Sequence, residues 1–250
     1  GSLIVHRLRI ALALRKRLYP LTYYRLVFGE SDGLPGLVID RYGDLVVLQI
    51  TTAGMEAQRD ALVAALVKVL RPAGILLRND SLSREPEGLS RNVELAHGDM
   101  PDHVQLEEGG CRFEVSPTEG QKTGWFYDQA ANREAFTALV NGSRVLDVCS
   151  YVGAWAVRAA AGGASGVMAV DASPQALAQV ARNAEINAVG ERVCLAALDR
   201  HRVQVAEHVE DDRPPVECHQ VEHCRATALA YFCVEQIAAG GDADKQHRAP

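Results

Sequence analysis

Two aspartates and a glycine between residues 144 and 171 have the types and spacing of a nucleoside-binding site. Asp171 follows an apolar run, at the position where a strand-end carboxylate accepts hydrogen bonds from two ribose hydroxyl groups. Gly153 has no Cβ atom, so a ligand could approach the backbone where the chain enters a helix. Asp147 ends the preceding apolar run, beside the same crevice. These residues predict a ligand that contains a ribose.

The turn from Cys149 to Gly153 limits which ribose-containing ligand fits. A dinucleotide site has the pattern Gly-x-Gly-x-x-Gly, because the pyrophosphate lies against the turn. This turn has one glycine and carries Tyr151, so a ligand without pyrophosphate is favoured. The N-terminus of the following helix has free N–H groups that suit a carboxylate. S-adenosylmethionine, with a ribose and an amino acid end, is therefore the predicted cofactor.

Other interpretations of this turn stay open. A nicotinamide oxidoreductase is disfavoured by the single glycine, and a Rossmann-like unit without any ligand is the structural alternative. Cys149 could be proposed as a nucleophile. A small thiol buried under the crevice is the role that we prefer for it.

The sequence also predicts the strands and helices that must hold these residues in place. Arg144–Val148 is an apolar run typical of a buried strand, Ala154–Ala161 an Ala-rich helix, and Val167–Asp171 a second buried strand. Ser173 and Pro174 have the types of an N-cap and a first helical residue. The order strand, turn, helix, strand predicts an α/β, Rossmann-like domain.

Three separated motifs resemble those of a known family: residues 26–44, residues 120–128 and residues 145–153. The sequence resembles the bacterial class I methyltransferases that methylate cytosine at C5 in large-subunit ribosomal RNA, from about Arg15 to Asn187. The resemblance implies an S-adenosylmethionine cofactor and a ribosomal RNA partner. Members usually also carry an N-terminal PUA domain, which we do not expect in this sequence.

The resemblance also implies site residues in the second motif. Lys122, Thr123 and Asp128 would line the cofactor crevice, with Arg133 in support. Asp128 could equally be only the N-cap of a helix over residues 129–140, and Lys122 and Thr123 could belong to a structural loop. The predicted cofactor-binding set is Lys122, Thr123, Asp128, Asp147, Tyr151, Gly153 and Asp171.

The predicted elements divide the chain into four segments. These are a helix or linker over 1–18, a small α+β domain over 19–118, the N-terminal half of a cofactor domain over 119–199, and an atypical tail over 200–250. In the small domain we expect strands near residues 24–28, 37–40, 45–51, 75–78 and 112–115, a helix over 54–70 and a polar loop over 81–98. Residues 192–197 could form a third parallel strand, with Asp199 near an adenine amino group.

The tail departs from the family pattern. The family would supply a strand that ends in Asp-Pro-Pro and a later Cys-Ser pair, and Arg213-Pro-Pro215 is not such a motif. No catalytic residue is therefore predicted, and we interpret the cofactor domain as incomplete, through a shifted reading frame or a truncated gene. The missing strands would leave a sheet edge uncovered, which favours self-association or a homodimer.

The tail could also suggest a zinc site, through Cys218-His219 and His223-Cys224. The two ligand pairs are too close together in the sequence, so no metal site is predicted.

Composition sets further limits. The 250 residues are 48% hydrophobic and 23% charged, without an apolar run of about 18 residues that could span a membrane. Six cysteines without a disulfide pattern indicate a reduced, cytoplasmic protein. The net charge of −6 argues against a broadly basic nucleic-acid binder. A basic cluster near the start is interpreted as a solvated helix face in preference to an RNA contact: Arg7, Arg9, Arg15, Lys16 and Arg17.

The predicted function is methyl transfer from S-adenosylmethionine to a cytosine of large-subunit ribosomal RNA. The alternative is a non-catalytic remnant that binds the cofactor or RNA.

Overall fold

A computed structural model describes residues 2–121 and 123–197, together with the backbone of Cys233–Glu235. The chain divides into two compact units between Glu134 and Ala135. No helix in the described residues is both long and apolar enough to cross a membrane.

The first unit is built on a five-stranded sheet in the order β1-β2-β3-β4-β5. Its strands are β1 (Tyr23–Phe28), β2 (Leu37–Tyr42), β3 (Leu45–Ile50), β4 (Gly74–Asn79) and β5 (Asn92–Gly98). The helices α1 (Ser2–Leu18), α2 (Ala53–Glu56) and α3 (Arg59–Leu70) precede or connect them. The β3–β4 pair is parallel and the other pairs are antiparallel. Because parallel neighbours need a crossover, α3 lies between β3 and β4 in the chain.

The apolar faces of α1 and α3 meet the sheet in one core, which includes Leu8, Leu26, Leu48, Leu66 and Ile75. A hairpin of β6 (Val104–Glu108) and β7 (Cys111–Val115) follows. The unit ends with a 3-10 turn (Tyr127–Gln129) and most of α4 (Ala130–Thr137).

Two secondary-structure expectations for this unit were wrong. Residues 81–98 were expected to be a loop, but they contain β5. Most of the β5 side chains are exposed, because β5 is an edge strand, so its sequence carries no apolar run. The helix expected over 54–70 is interrupted at residues 57–58, between α2 and α3.

The second unit has a four-stranded sheet in the order β10-β9-β8-β11. Its elements are β8 (Arg144–Val148), α5 (Ala154–Ala161), β9 (Gly166–Asp171), α6 (Pro174–Ile186), β10 (Val193–Ala197) and β11 (Cys233–Glu235). The strands β8, β9 and β10 are parallel, as the strand–helix–strand pattern predicted. The Ser173 hydroxyl accepts a hydrogen bond from the Ala176 N–H, which confirms the predicted N-cap of α6.

The β11 backbone pairs with β8 in antiparallel orientation, with Cys233 opposite Leu146 and Glu235 opposite Arg144. The expectation that this edge of the parallel sheet would be uncovered is therefore wrong over the paired residues. Self-association stays a prediction.

Candidate cofactor site

The turn between β8 and α5 is held in an unusual backbone conformation. Cys149 (φ 61°) and Tyr151 (φ 51°) both adopt the left-handed region, which is costly for residues other than glycine. The Gly153 N–H closes the turn by donating to the Ser150 carbonyl at 2.8 Å, and the Ser150 N–H donates to the Val170 carbonyl at 3.0 Å. The turn is thus fixed to the neighbouring strand β9.

Asp171 at the end of β9 accepts two backbone hydrogen bonds. The Tyr151 N–H donates to Oδ2 and the Ser173 N–H donates to Oδ1, both at 2.9 Å. A carboxylate has about four acceptor positions, so two hydroxyl groups of a ribose could still bind. The carboxylate that the sequence analysis selected is therefore oriented beside the turn.

Asp147 is 2% exposed and lies beneath the start of α5, where the Ala156 N–H donates to Oδ2 at 3.1 Å. Burial raises the pKa of Asp147 to about 7; the Ala156 hydrogen bond lowers it and the negative charge of Asp171 raises it. The side chain offers almost no surface to a ligand. Asp147 therefore acts on the site through the position of α5.

Gly153 begins α5 with φ 78°, in the left-handed region that glycine adopts without strain. A Cβ atom at this position would lie 2.8 Å from Cγ1 of Val180 on α6. The close packing between the turn and α6 thus requires glycine at position 153, whether or not a ligand also approaches the backbone there. Buried Asn183 fixes the same contact, because its Nδ2 donates to the Val152 carbonyl at 2.9 Å.

Sequence reasoning missed Ser150. It is 4% exposed, and its hydroxyl has no hydrogen-bond partner in the described residues. A serine in a turn carries no sequence signal of this kind, because the burial depends on β9 and on the backbone around it. The expectation that Cys149 would be buried was wrong: its left-handed backbone leaves the side chain exposed.

Comparisons with known proteins agree with this geometry. A family model for the TRM5/TYW2 methyltransferase domain matches residues 104–222. The ribosomal RNA large subunit methyltransferase I of Shigella boydii is 43% identical over 168 residues, which are 67% of this chain and 42% of that protein. The chain thus spans less than half the length of this relative. The family match extends into the tail that the sequence analysis had set apart.

Solved structures lead to the same fold. A candidate S-adenosylmethionine-dependent methyltransferase from Streptococcus mutans superposes with a TM-score of 0.70 at 26% identity, over 79% of this chain and 52% of that one. Another structure, a candidate methyltransferase complexed with S-adenosylhomocysteine, has the same score and identity over 80% of this chain and 52% of that one. The fold is that of S-adenosylmethionine-dependent methyltransferases. The predicted fold class is confirmed, and the predicted cofactor class agrees with the cofactor named for these two structures.

In this methyltransferase fold, Asp147, Tyr151, Gly153 and Asp171 all lie around the β8–α5 turn of the second unit. Thr123 and Asp128 belong to the first unit. Lys122 and Asp199 lie outside the described residues, as do the cysteines and histidines at 218–224. In the part of the chain that the structure describes, no three His, Cys, Asp or Glu side chains are grouped as metal ligands would be.

Thr123 is fully buried in the first unit, and its contacts favour the structural interpretation. Its hydroxyl donates to Asp40, and its carbonyl accepts the Tyr42 hydroxyl at 3.0 Å. Asp40, also fully buried, binds the Arg25 guanidinium through both carboxylate oxygens at 2.9 and 3.0 Å. The Thr123 hydroxyl thus satisfies a buried carboxylate, as buried charges require.

Asp128 lies in the 3-10 turn that leads into α4. Arg133 on α4 binds Glu108 through Nε at 2.6 Å and Nη2 at 2.7 Å. The Trp125 indole N–H donates to the same carboxylate at 3.1 Å, and the Arg133 guanidinium lies 4.9 Å from the Trp125 ring centre. Arg133 thus supports the loop that carries Trp125.

Proposed function

We propose that this chain binds S-adenosylmethionine through the β8–α5 turn and Asp171, and transfers its methyl group to a cytosine of large-subunit ribosomal RNA. The observation that carries this proposal is the oriented Asp171 carboxylate, which is fixed by the Tyr151 and Ser173 N–H groups and keeps free acceptor positions. The similarity to a ribosomal RNA large subunit methyltransferase supports the choice of RNA.

The residues around the turn fit such a cofactor. Asp171 would accept hydrogen bonds from the ribose, and the start of α5 would meet the carboxylate of the amino acid end. Asp147, with its pKa raised to about 7, leaves the start of α5 less negative than an ionised carboxylate would. The bound cofactor supplies an electrophilic methyl group on its sulfonium, and the protein supplies position.

A cofactor- or RNA-binding chain without methyl transfer is the second candidate. Cytosine C5 is a weak nucleophile, so a thiolate must first add to C6 before a methyl group can be accepted. No described residue is assigned this role. We therefore separate the two candidates by experiment.

Calorimetric titration of S-adenosylhomocysteine into the purified chain tests binding. We expect Asp171→Asn to weaken binding by about tenfold to a hundredfold, because charge-assisted hydrogen bonds to the ribose are lost. Glu191→Gln is the matched control: it neutralises an exposed carboxylate of the same unit and should leave affinity unchanged. Equal binding by the Asp171→Asn protein and the wild type would refute the proposed site.

Transfer of labelled methyl groups to a large-subunit ribosomal RNA transcript tests the reaction itself. Labelled RNA whose radioactivity maps to C5 of cytosine supports the methyltransferase. Cofactor binding at Asp171 without labelled RNA supports the non-catalytic candidate.

A further inference from the structure

Helix α1 concentrates positive charge in an acidic chain. It carries five basic residues and no acidic residue: Arg7, Arg9, Arg15, Lys16 and Arg17. The chain contains 26 basic and 32 acidic residues, so without these five cations the remainder has 21 basic residues and a net charge of −11. Positive charge is thus separated onto one element, which is how a protein of negative net charge can still bind a polyanion.

Most of these cations have no intramolecular partner. Arg15 forms an ion pair with Asp32. The other four are exposed, and none is hydrogen-bonded or ion-paired within the described residues: Arg7, Arg9, Lys16 and Arg17. Outside α1, by contrast, every arginine of this unit except Arg71 has a partner.

The stability of α1 explains only two of these four unpaired cations. Lys16 and Arg17 lie in the last turn, where cations interact favourably with the helix dipole. Arg7 and Arg9 lie before the last turn, and this effect is confined to the ends of a helix. Their exposure and lack of partners need another explanation.

Two exposed aromatic rings lie at the end of α1 and on β1, the strand that follows it. Tyr19 directly follows α1, is 45% exposed and stacks on Tyr24 of β1, with ring centres 5.4 Å apart. Phe28 at the end of β1 is 55% exposed, with the Arg25 guanidinium 5.5 Å from its ring centre. The strand β1 is an edge of the sheet. Exposed aromatic rings and unpaired cations are the two components of surfaces that bind single-stranded nucleic acid.

We propose that α1 and β1 form an RNA-contacting surface, in which Arg9, Lys16 and Arg17 bind phosphates while Tyr19 and Phe28 stack on unpaired bases. This inference rests on the proposed function, because it takes RNA as the substrate. It assigns RNA contacts to the first unit, far in sequence from the β8–α5 turn. Recognition is through backbone charge and base stacking, and therefore depends little on RNA sequence.

Fluorescence anisotropy with a fluorescein-labelled, single-stranded RNA of about 20 nucleotides and mixed sequence tests the surface. We expect Lys16→Gln/Arg17→Gln to raise Kd on the order of tenfold at 0.1 M salt. The slope of log K against log salt should fall by about 1.4, because each phosphate contact contributes about 0.7. Phe28→Leu, which keeps apolar volume and removes the ring, should raise Kd about tenfold as well.

The matched control is Lys68→Gln/Arg71→Asn. It removes one lysine and one arginine from the end of α3, which are also exposed and unpaired in the described residues. Asn suits position 71, where φ is 50°. This control should change Kd by less than about twofold, since scattered surface charges contribute little.

Several results would overturn the inference. One is RNA binding by the wild-type chain that neither Lys16→Gln/Arg17→Gln nor Phe28→Leu changes. Another is Lys16- and Arg17-dependent binding to vesicles of anionic lipid without RNA binding. A third is self-association that is lost in Ile10→Ser. Leu3, Ile10, Leu14 and Leu18 of α1 are exposed, and this result would make them a contact between copies. Asp171→Asn separates the two proposals: it should weaken cofactor binding by about tenfold to a hundredfold and leave RNA affinity at the wild-type value.

Discussion

Val180 of α6 occupies the space that a side chain at Gly153 would need. A Cβ atom at Gly153 would lie 2.8 Å from Val180 Cγ1 and 3.2 Å from Cγ2. Both distances are well below the usual carbon–carbon contact of about 3.5–4.0 Å. Gly153 and Val180 therefore set how closely the β8–α5 turn approaches α6.

Replacing Gly153 by alanine should destabilise the second unit by about 2–4 kcal/mol. The new side chain would be strained at φ 78° and would clash with Val180. Urea unfolding measured by Trp155 fluorescence in a Trp125→Phe background reports this unit. In Gly153→Ala/Val180→Ala the clash is absent, so the combined loss should be smaller than the sum of the two single losses. Additive losses would show that the contact is not tight.

Asp147 makes the stability of the second unit dependent on pH. Its pKa is 3.8 in a model compound and about 7 in the folded protein, because the side chain is buried. Between these values the folded state binds more protons than the unfolded state. The free energy of unfolding should therefore fall as pH rises from about 4 to 7, by up to about 1.4 kcal/mol per pH unit from this group.

Asp147→Asn should remove that slope, since the amide does not titrate and its oxygen can still accept the Ala156 N–H. Urea midpoints between pH 4 and 8 measure the effect. Glu191→Gln, on an exposed side chain of the same unit, should keep the wild-type slope. A slope that persists in Asp147→Asn would assign the titration to another group.

Ser150 and Ser173 should respond in opposite directions to the same substitution. Ser150→Ala removes a buried hydroxyl that has no partner in the described residues, and should stabilise the second unit by about 1 kcal/mol. Ser173→Ala removes the N-cap of α6 and should destabilise it by about 1 kcal/mol. Thermal unfolding compares the two. A lower Tm for Ser150→Ala would mean that its hydroxyl does have a partner.

The role of Thr123 can be decided by replacing it with valine, which has nearly the same shape. The loss of the hydrogen bond to buried Asp40 should destabilise the first unit by about 1–3 kcal/mol. Unfolding followed by Trp125 fluorescence measures this loss. S-adenosylhomocysteine affinity, measured on the folded variant, should stay at the wild-type value. Weakened binding with unchanged stability would instead support the cofactor contact that the family resemblance implied.

The sequence predicted the elements around the β8–α5 turn well, because their signals are local. The bounds of Arg144–Val148 and Ala154–Ala161 agree with the structure, and Ser173 caps α6 as expected. In these segments, apolar spacing and capping chemistry both point to the same structure.

What the sequence could not show depends on distant contacts. The exposed strand Asn92–Gly98 has no apolar pattern, since it is an edge strand held by pairing with β4. Burial of Ser150 and exposure of Cys149 follow from left-handed backbone angles at neighbouring positions, which residue types do not reveal. The partner of Thr123 lies 83 positions away, at Asp40.

The double anchoring of Asp171 restricts how ligand preference can change. The Asp171 carboxylate accepts one hydrogen bond from the Tyr151 N–H in the β8–α5 turn and another from the Ser173 N–H at the N-cap of α6. A substitution that altered nucleoside selection at this position would also release both backbone segments. A change of ligand preference is therefore easier at side chains around Asp171, because the two backbone hydrogen bonds constrain the acid itself, in addition to the ligand contact that we propose for it.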